Sequence, residues 1–379
     1  MKTKLKVLLL SDPFSAHTIN WANGLNQKGL DVTVFGFSDF DQSQFDSGVK
    51  VISYKFPDYI KYKSDGNLSK TVYLSALHQV NKLLKKLNPV ILHSHFASSY
   101  GLIGALTRYN PFLISVWGTD VYNFPKKSVL NKKIFQHNLL RADKIFSTSQ
   151  IMAEETKKYT NKNIEVIHFG VDVEKFKPVS EKIIFNKEDI VIGSIKALEN
   201  KYGIIELFNA FKTLKVKYQS LTLKLLLVGR GSLENEIKSL VKQYNLEDCV
   251  TTTGFIQPMD IVKYHNELDI MVAYSTDDSE TFGVSVIEAS ACEKPVIVSD
   301  KGGLKEVVQD MKTGLIVPSN NPDLLATALE KLILNPDLRE KLGKAGRERV
   351  INNFSKDDSL NKMIKNYEEI WARFYGYLN

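Results

Sequence analysis

Cysteine is scarce: Cys249 and Cys292 are the only two in 379 residues, which excludes a disulfide framework and points to a reducing compartment, the cytoplasm by default. Long apolar runs are missing as well. No uninterrupted stretch approaches the ~20 residues that a membrane-spanning helix requires, so the chain reads as soluble. The opening "MKTKLKVLLLSD" has the look of a signal peptide, but its apolar run at 7–10 is too short and no small-residue cleavage site follows; it reads as a buried strand. There is no short-period repeat, low-complexity tract or long linker. Zinc, helix-turn-helix and RNA-recognition signatures are also lacking, which sets nucleic acid aside as a partner although the formal net charge is +7.

What is present is enough for two cores. The hydrophobic fraction is 43%, and domains usually run about 100–200 residues. Short apolar or β-branched runs, "KVLLLSD", "DVTVFGF", "VILHSHF", "FLISVWG", "KIFSTS" and "IEVIHFG", alternate with segments of helical spacing such as 17–29 and 70–88. That pattern predicts a βα array with a mostly parallel sheet. A polar stretch containing Pro178 interrupts it, and the alternation restarts with "IVIGSI", "TLKLLLVG", "VTTTGF", "DIMVAY", "KPVIVSD" and "TGLIVP". The expectation is two doubly wound α/β domains, 1–177 and 178–359, facing across a cleft, since open α/β sheets bind ligands beyond the carboxyl ends of their strands.

Charge divides along the same line. Residues 1–175 carry 23 Lys and Arg against 14 Asp and Glu, and the rest carry 27 against 29. Lys55, Lys61, Lys63, Lys70, Lys82, Lys85 and Lys86 form one cluster, and Lys126, Lys127, Lys132 and Lys133 another. Such clusters are either ordinary solvated charge or a face for an anionic membrane or acidic acceptor.

The stretch "DIMVAYSTDDSETFGVSVIEASACEKPVIVSD" holds the densest chemistry. A strand is expected to end near Ser275, a polar loop carries Asp277, Asp278 and Glu280, and a helix is expected to start around 282–284. Its free N–H groups and positive dipole end suit a diphosphate, and Gly283 lets a ligand approach the backbone. Glu288, inside the helix, can accept two hydrogen bonds from a ribose diol; Glu280, ahead of it, then meets a sugar on the far side of the phosphates. Taken singly, Glu280 also reads as a loop cap and Glu288 as part of a solvated helix face.

The two glutamates, eight positions apart, resemble the E-x7-E motif of retaining glycosyltransferase family 4. The resemblance continues through "LLLVGRGSLENEIKSLVKQYNL" and "KGGLKEVVQDMKTGLIVP", and in the first half through "HTINWANGLNQKGLDVTVF", "LHSHFASSYG", "SVWGTD" and "VIHFGVDVEKFKP", in the family's order. It implies the GT-B fold of two Rossmann-like domains, the first for an acceptor and the second for a nucleotide sugar. A C-terminal helix, about 360–379, is implied to return to the first domain. The implied donor is a UDP- or GDP-sugar, the acceptor a saccharide or lipid-linked saccharide, and no metal or other cofactor is expected. A sugar-nucleotide epimerase of the same fold, or a non-catalytic nucleotide-sugar binder, is the alternative.

By this resemblance Glu288 holds the ribose, while Glu280 and the amides of Phe282, Gly283 and Val284 meet the sugar and phosphates. In "IGSIKALENKYGI" the family has Arg directly after the Gly; Ser194 stands there, and Lys196 takes over its role with a point charge in place of a planar fork. Lys201 is the second cation for the diphosphate. Arg230 in "VGRG" reaches the base or phosphates, or caps a loop. In the first half, His17 stands where the chain passes near phosphates and acceptor. The family's His before the Gly of "SVWGTD" is Trp117 here, so that His contact does not carry over. Asp120 binds an acceptor hydroxyl or caps the next helix. His93 and His95 share one strand face, one expected in the core and one on a cleft rim; without a third ligand they do not suggest a metal. "Asp39-Phe40-Asp41" resembles an Asp-x-Asp metal motif, but lies in a polar surface loop.

Overall fold

Runs such as Lys6–Leu10 and Leu223–Val228 are apolar almost without interruption, as strands covered by helices on both sheet faces must be. The computed structural model describes residues 4–55, 74–88, 90–179, 181–278 and 280–376. Two compact units result, Met1–Phe169 with Asp357–Asn379, and Gly170–Lys356.

The first unit holds a seven-stranded sheet of β1 (Lys6–Leu10), β2 (Asp31–Gly36), β3 (Lys50–Ser53), β4 (Ile91–His95), β5 (Phe112–Val116), β6 (Lys144–Ser147) and β7 (Ile164–Val166). Its order is β3-β2-β1-β4-β5-β6-β7. Every pairing is parallel, with Val7 opposite both Val32 and Ile91. The order reverses between β1 and β4, so the loops at their carboxyl ends diverge and leave a crevice.

The second unit repeats the design with β8 (Ile190–Ile195), β9 (Leu223–Val228), β10 (Val250–Thr252), β11 (Ile270–Ala273), β12 (Val296–Ser299) and β13 (Leu315–Val317). The order is β10-β9-β8-β11-β12-β13, and the switch point lies between β8 and β11. Its core runs through Ile192, Phe208, Phe211, Leu225, Val272, Leu329 and Leu332. Residues 170–177 lie with this unit, ahead of the boundary expected at 177. Val171 bridges Ser355, Arg347 donates to the Phe176 carbonyl at 3.0 Å, and Asn266 donates to the Lys177 carbonyl at 3.2 Å. The buried Glu267 then collects the amides of Ile183, Ile184 and Phe185.

The last helix, Lys356–Tyr375, belongs to the first unit. Leu360 fills the space above Gly24, where a β-carbon would stand 2.5 Å from its methyl group. Further along, the Tyr367 hydroxyl meets His93 Nδ1 at 2.6 Å and Asn366 donates to Glu165 at 2.7 Å. Among the described residues no helix is long and apolar enough to cross a membrane.

Candidate active site

The site of the second unit is built from the loops that leave β8 and β11. Lys196 is the first residue beyond β8, its amide held by the Val228 carbonyl at 2.9 Å. Its ammonium lies 2.5 Å from Glu280 Oε2 and 4.8 Å from the centre of the Tyr202 ring. Lys201 sits over the same ring at 4.9 Å, so one aromatic carries both cations. Burial, the largest single influence, pushes the Lys196 ammonium down, yet the Glu280 carboxylate, Tyr202 and Glu288 together outweigh it and the net shift is upward. Lys196 therefore stays charged.

Glu280 is nearly buried, 8% exposed. Ser275 Oγ donates to Glu280 Oε2 at 3.5 Å, and the Glu280 carbonyl accepts from the Gly303 amide at 2.8 Å. The adjoining Gly302 has a positive φ of +51°, and a β-carbon on it would stand 2.0 Å from that carbonyl, so the Gly-Gly pair is what lets this loop lie against Glu280 and Thr281. Asp278 accepts from the Gly302 amide at 3.2 Å.

Gly283, with φ 92° and ψ 53°, turns the chain into the helix Val284–Ala291 without any side-chain cap. No side chain caps the first amides of that helix, the arrangement that helix ends binding anions have. Phe282 packs edge-on against Phe354 at 5.6 Å between ring centres and is buried, which anchors the helix start. Glu288 is half-buried, meets His265 Nε2 at 3.1 Å, and is among the charges acting on Lys196. Lys196, Lys201, Glu280 and Glu288 thus come together around the uncapped helix end. Ser194 lies inside β8, opposite Leu227 and 2% exposed, and Arg230 stands exposed beside Gly254.

In the first unit, Asp120 is buried and accepts the amides of Ala97 at 2.7 Å, Gly118 at 2.8 Å and Trp117 at 3.2 Å. It ties the loops after β4 and β5 together. Burial pushes its carboxyl up to about 6, against the downward pull of those amides. His17 stacks on Phe169 at 4.0 Å with Trp117 edge-on at 6.0 Å. Both strand histidines are in the core, where one was expected on a rim. His93 is held between Tyr367 and Ser115, and His95 is covered by Trp117, 4.2 Å away and stacked, with Nδ1 on Ser11 Oγ at 2.8 Å. Burial lowers both rings, His93 to about 3; His95 falls well below its ordinary value, with His93 and His17 adding to the effect. Asp41 caps a short turn through Ser43. Among the described residues no three His, Cys, Asp or Glu side chains gather as metal ligands do. Tyr202, Ser275 and His265 were not foreseen; the adjacency of Tyr202 to Lys201 was the only local hint.

Two parallel doubly wound sheets, the second with paired lysines and glutamates at its switch point, define a glycosyltransferase of the GT-B fold. The sequence profile described as "Glycosyl transferases group 1" matches residues 176–349, and that described as "Glycosyl transferase 4-like" matches 6–149. The chain belongs to the group 1 glycosyltransferases. An uncharacterized glycosyltransferase of Methanocaldococcus jannaschii is 26% identical over 90% of this chain and 91% of its own. The capsular polysaccharide biosynthesis glycosyltransferase CapM of Staphylococcus aureus is 28% identical over 87% and 88%. Among solved structures, Anabaena HepE in complex with UDP-glucose is similar at a TM-score of 0.76, with 16% identity over 96% of this chain and 100% of that one.

Proposed function

We propose that the protein transfers a sugar from a nucleoside diphosphate to an acceptor hydroxyl with retention at the anomeric carbon, in the synthesis of a bacterial surface polysaccharide or glycolipid. The observation that carries this reading is the Lys196–Glu280 pair at 2.5 Å, set beside Lys201 and the uncapped helix start at Gly283. Two cations and a helix end concentrate positive potential where a diphosphate leaving group gains charge, which is the main electrostatic demand of the reaction. Glu280 has a second use. In the free protein it neutralises the half-buried Lys196; with donor bound, the diphosphate takes over Lys196 and the carboxylate turns to the sugar hydroxyls. Glu288 binds the ribose diol. The nucleotide sugar bound by HepE supports a UDP-sugar as donor, and the capsular relative supports a saccharide acceptor.

The second unit is the donor domain and the first the acceptor domain. Trp117, His17 and Phe169 provide apolar ring faces suited to a saccharide near the ends of β1 and β5. The acceptor is lipid-linked, presented at an anionic membrane on the cytoplasmic side. In support, Lys82, Lys85 and Lys86 are exposed along the helix Leu77–Leu87; Lys61 and Lys63 lie outside the described residues. Equilibrium dialysis of the full chain against UDP- and GDP-sugars tests the donor half of this reading. Retention of one sugar nucleotide in the micromolar to millimolar range is expected, and retention of none would overturn it.

A further inference from the structure

His265 is wholly buried at the end of the helix Ile261–Glu267, boxed in edge-on by Phe176 at 5.7 Å. Its Nε2 faces Glu288 Oε2 at 3.1 Å. Its Nδ1 is buried and finds no partner among the described residues. The carboxylate sets the direction of this bond. A carboxylate can only accept, so Nε2 carries the hydrogen. The ring is a donor aimed at a single oxygen.

Glu288 needs such a partner. Its side chain spans the wall of the site, 20% exposed, and an unheld glutamate at that exposure samples several rotamers whose freedom is lost on binding. With Oε2 fixed by His265, Oε1 is presented in one orientation. We infer that His265 is the positioning residue that sets Glu288 for the ribose diol, so that the preference of this site for a ribonucleotide is written partly in a histidine no ligand touches. The inference rests on the ribose-binding reading of Glu288.

Calorimetric titration of the full chain with UDP and GDP, and with their 2′-deoxy counterparts, tests it. In the wild type, removing the 2′-hydroxyl should weaken binding of the accepted nucleotide. His265→Phe keeps the ring volume and loses the hydrogen bond; it should weaken the ribonucleotide about ten-fold, the scale of one hydrogen bond to a charged group, and weaken the 2′-deoxy compound, which keeps only its 3′-hydroxyl for Glu288, clearly less. His265→Gln, which can place an N–H near the Nε2 position, should restore most of the discrimination, whereas the shorter Asn should not. Equal losses on both sugars would mean that His265 is merely structural, and unchanged affinity of His265→Phe for the ribonucleotide would overturn the inference as surely. Should the Phe variant fail to fold by circular dichroism, the Gln and Asn pair decides: indistinguishable discrimination in the two sinks the idea. Absence of binding by the wild type to either diphosphate would overturn the reading of Glu288 itself.

Discussion

At the scale of single residues, the two glutamates separate by what already holds them. Glu288 is braced by a buried histidine, Glu280 by a lysine cation. Glu288→Ala removes the ribose acceptor, so donor and free nucleoside diphosphate should both weaken, by about 1.5–3 kcal/mol. Glu280→Gln removes instead the charge that neutralises Lys196. The ammonium is then left to the diphosphate alone, so affinity for the free diphosphate should hold or rise while turnover falls; parallel losses in both would contradict the assignment. Calorimetry and initial rates on the two variants make the comparison. His93 yields a different test. Burial holds it near 3 in the folded chain against an ordinary 6.5. A depressed value means that the unfolded chain binds the proton first, so this contribution to stability is full above pH 6.5 and lost as pH falls towards 3. The whole span is worth on the order of 5 kcal/mol. Trp21, Trp117 and Trp371, the three tryptophans of the chain, all lie in the first unit, so their fluorescence during urea unfolding at pH 7.5 and pH 5 reports this unit, where the lowered His95 acts in the same sense, and comparison with a His93 variant separates the His93 share. His93→Asn should be less stable than the wild type at pH 7.5 and should show a shallower loss on acidification.

At the scale of elements, what the sequence made legible is what burial on both faces writes into it. Strands such as β9 show as unbroken apolar runs, and the polar loop before the helix Val284–Ala291 shows as a cluster of Asp and Glu. Contacts distant in the chain leave no such trace. Nothing near His93 announces Tyr367, 274 positions away, and nothing near Glu288 announces His265 on another helix. The alternation that put His93 and His95 on one face was legible; that Trp117 and the last helix bury that face was not. Lysine placement was legible as composition only. Lys82, Lys85 and Lys86 are exposed on one helix of the first unit, while Lys132 and Lys133, also exposed, share the helix Val129–Arg141 with the exposed Val129 and Leu130. Apolar side chains ringed by lysines suit the boundary of an anionic bilayer. Pelleting with phosphatidylglycerol vesicles should be strong at low salt and weak at high salt, where the screening length is about 3 Å at 1 M. Reversing Lys82, Lys85 and Lys86 to Glu should reduce it with nucleotide binding intact, and no pelleting at low salt would favour a soluble acceptor.

At the scale of the whole molecule, the chain is two separately cored units, the first assembled from both ends of the sequence because the last helix is spent on it. Its buried face is Leu360, Met363, Tyr367 and Ile370, each under 10% exposed. Burying side chains of this size stabilises by roughly 1.5–3 kcal/mol apiece, and together they approach the ~5–15 kcal/mol that holds a domain folded. Their removal would also leave His93 Nδ1 without its hydroxyl partner and Lys28 without Asp357. The second unit keeps its own sheet and the bridge from Val171 to Ser355. A chain ended after Lys356 should therefore lose the first unit and keep the second. The expected signature is a red-shifted emission from Trp21 and Trp117 beside retained circular dichroism from the second unit and undiminished affinity for the nucleoside diphosphate. Native emission in the shortened chain would show that the first sheet stands without the helix, and loss of nucleotide binding would show that the donor site depends on residues outside Gly170–Lys356.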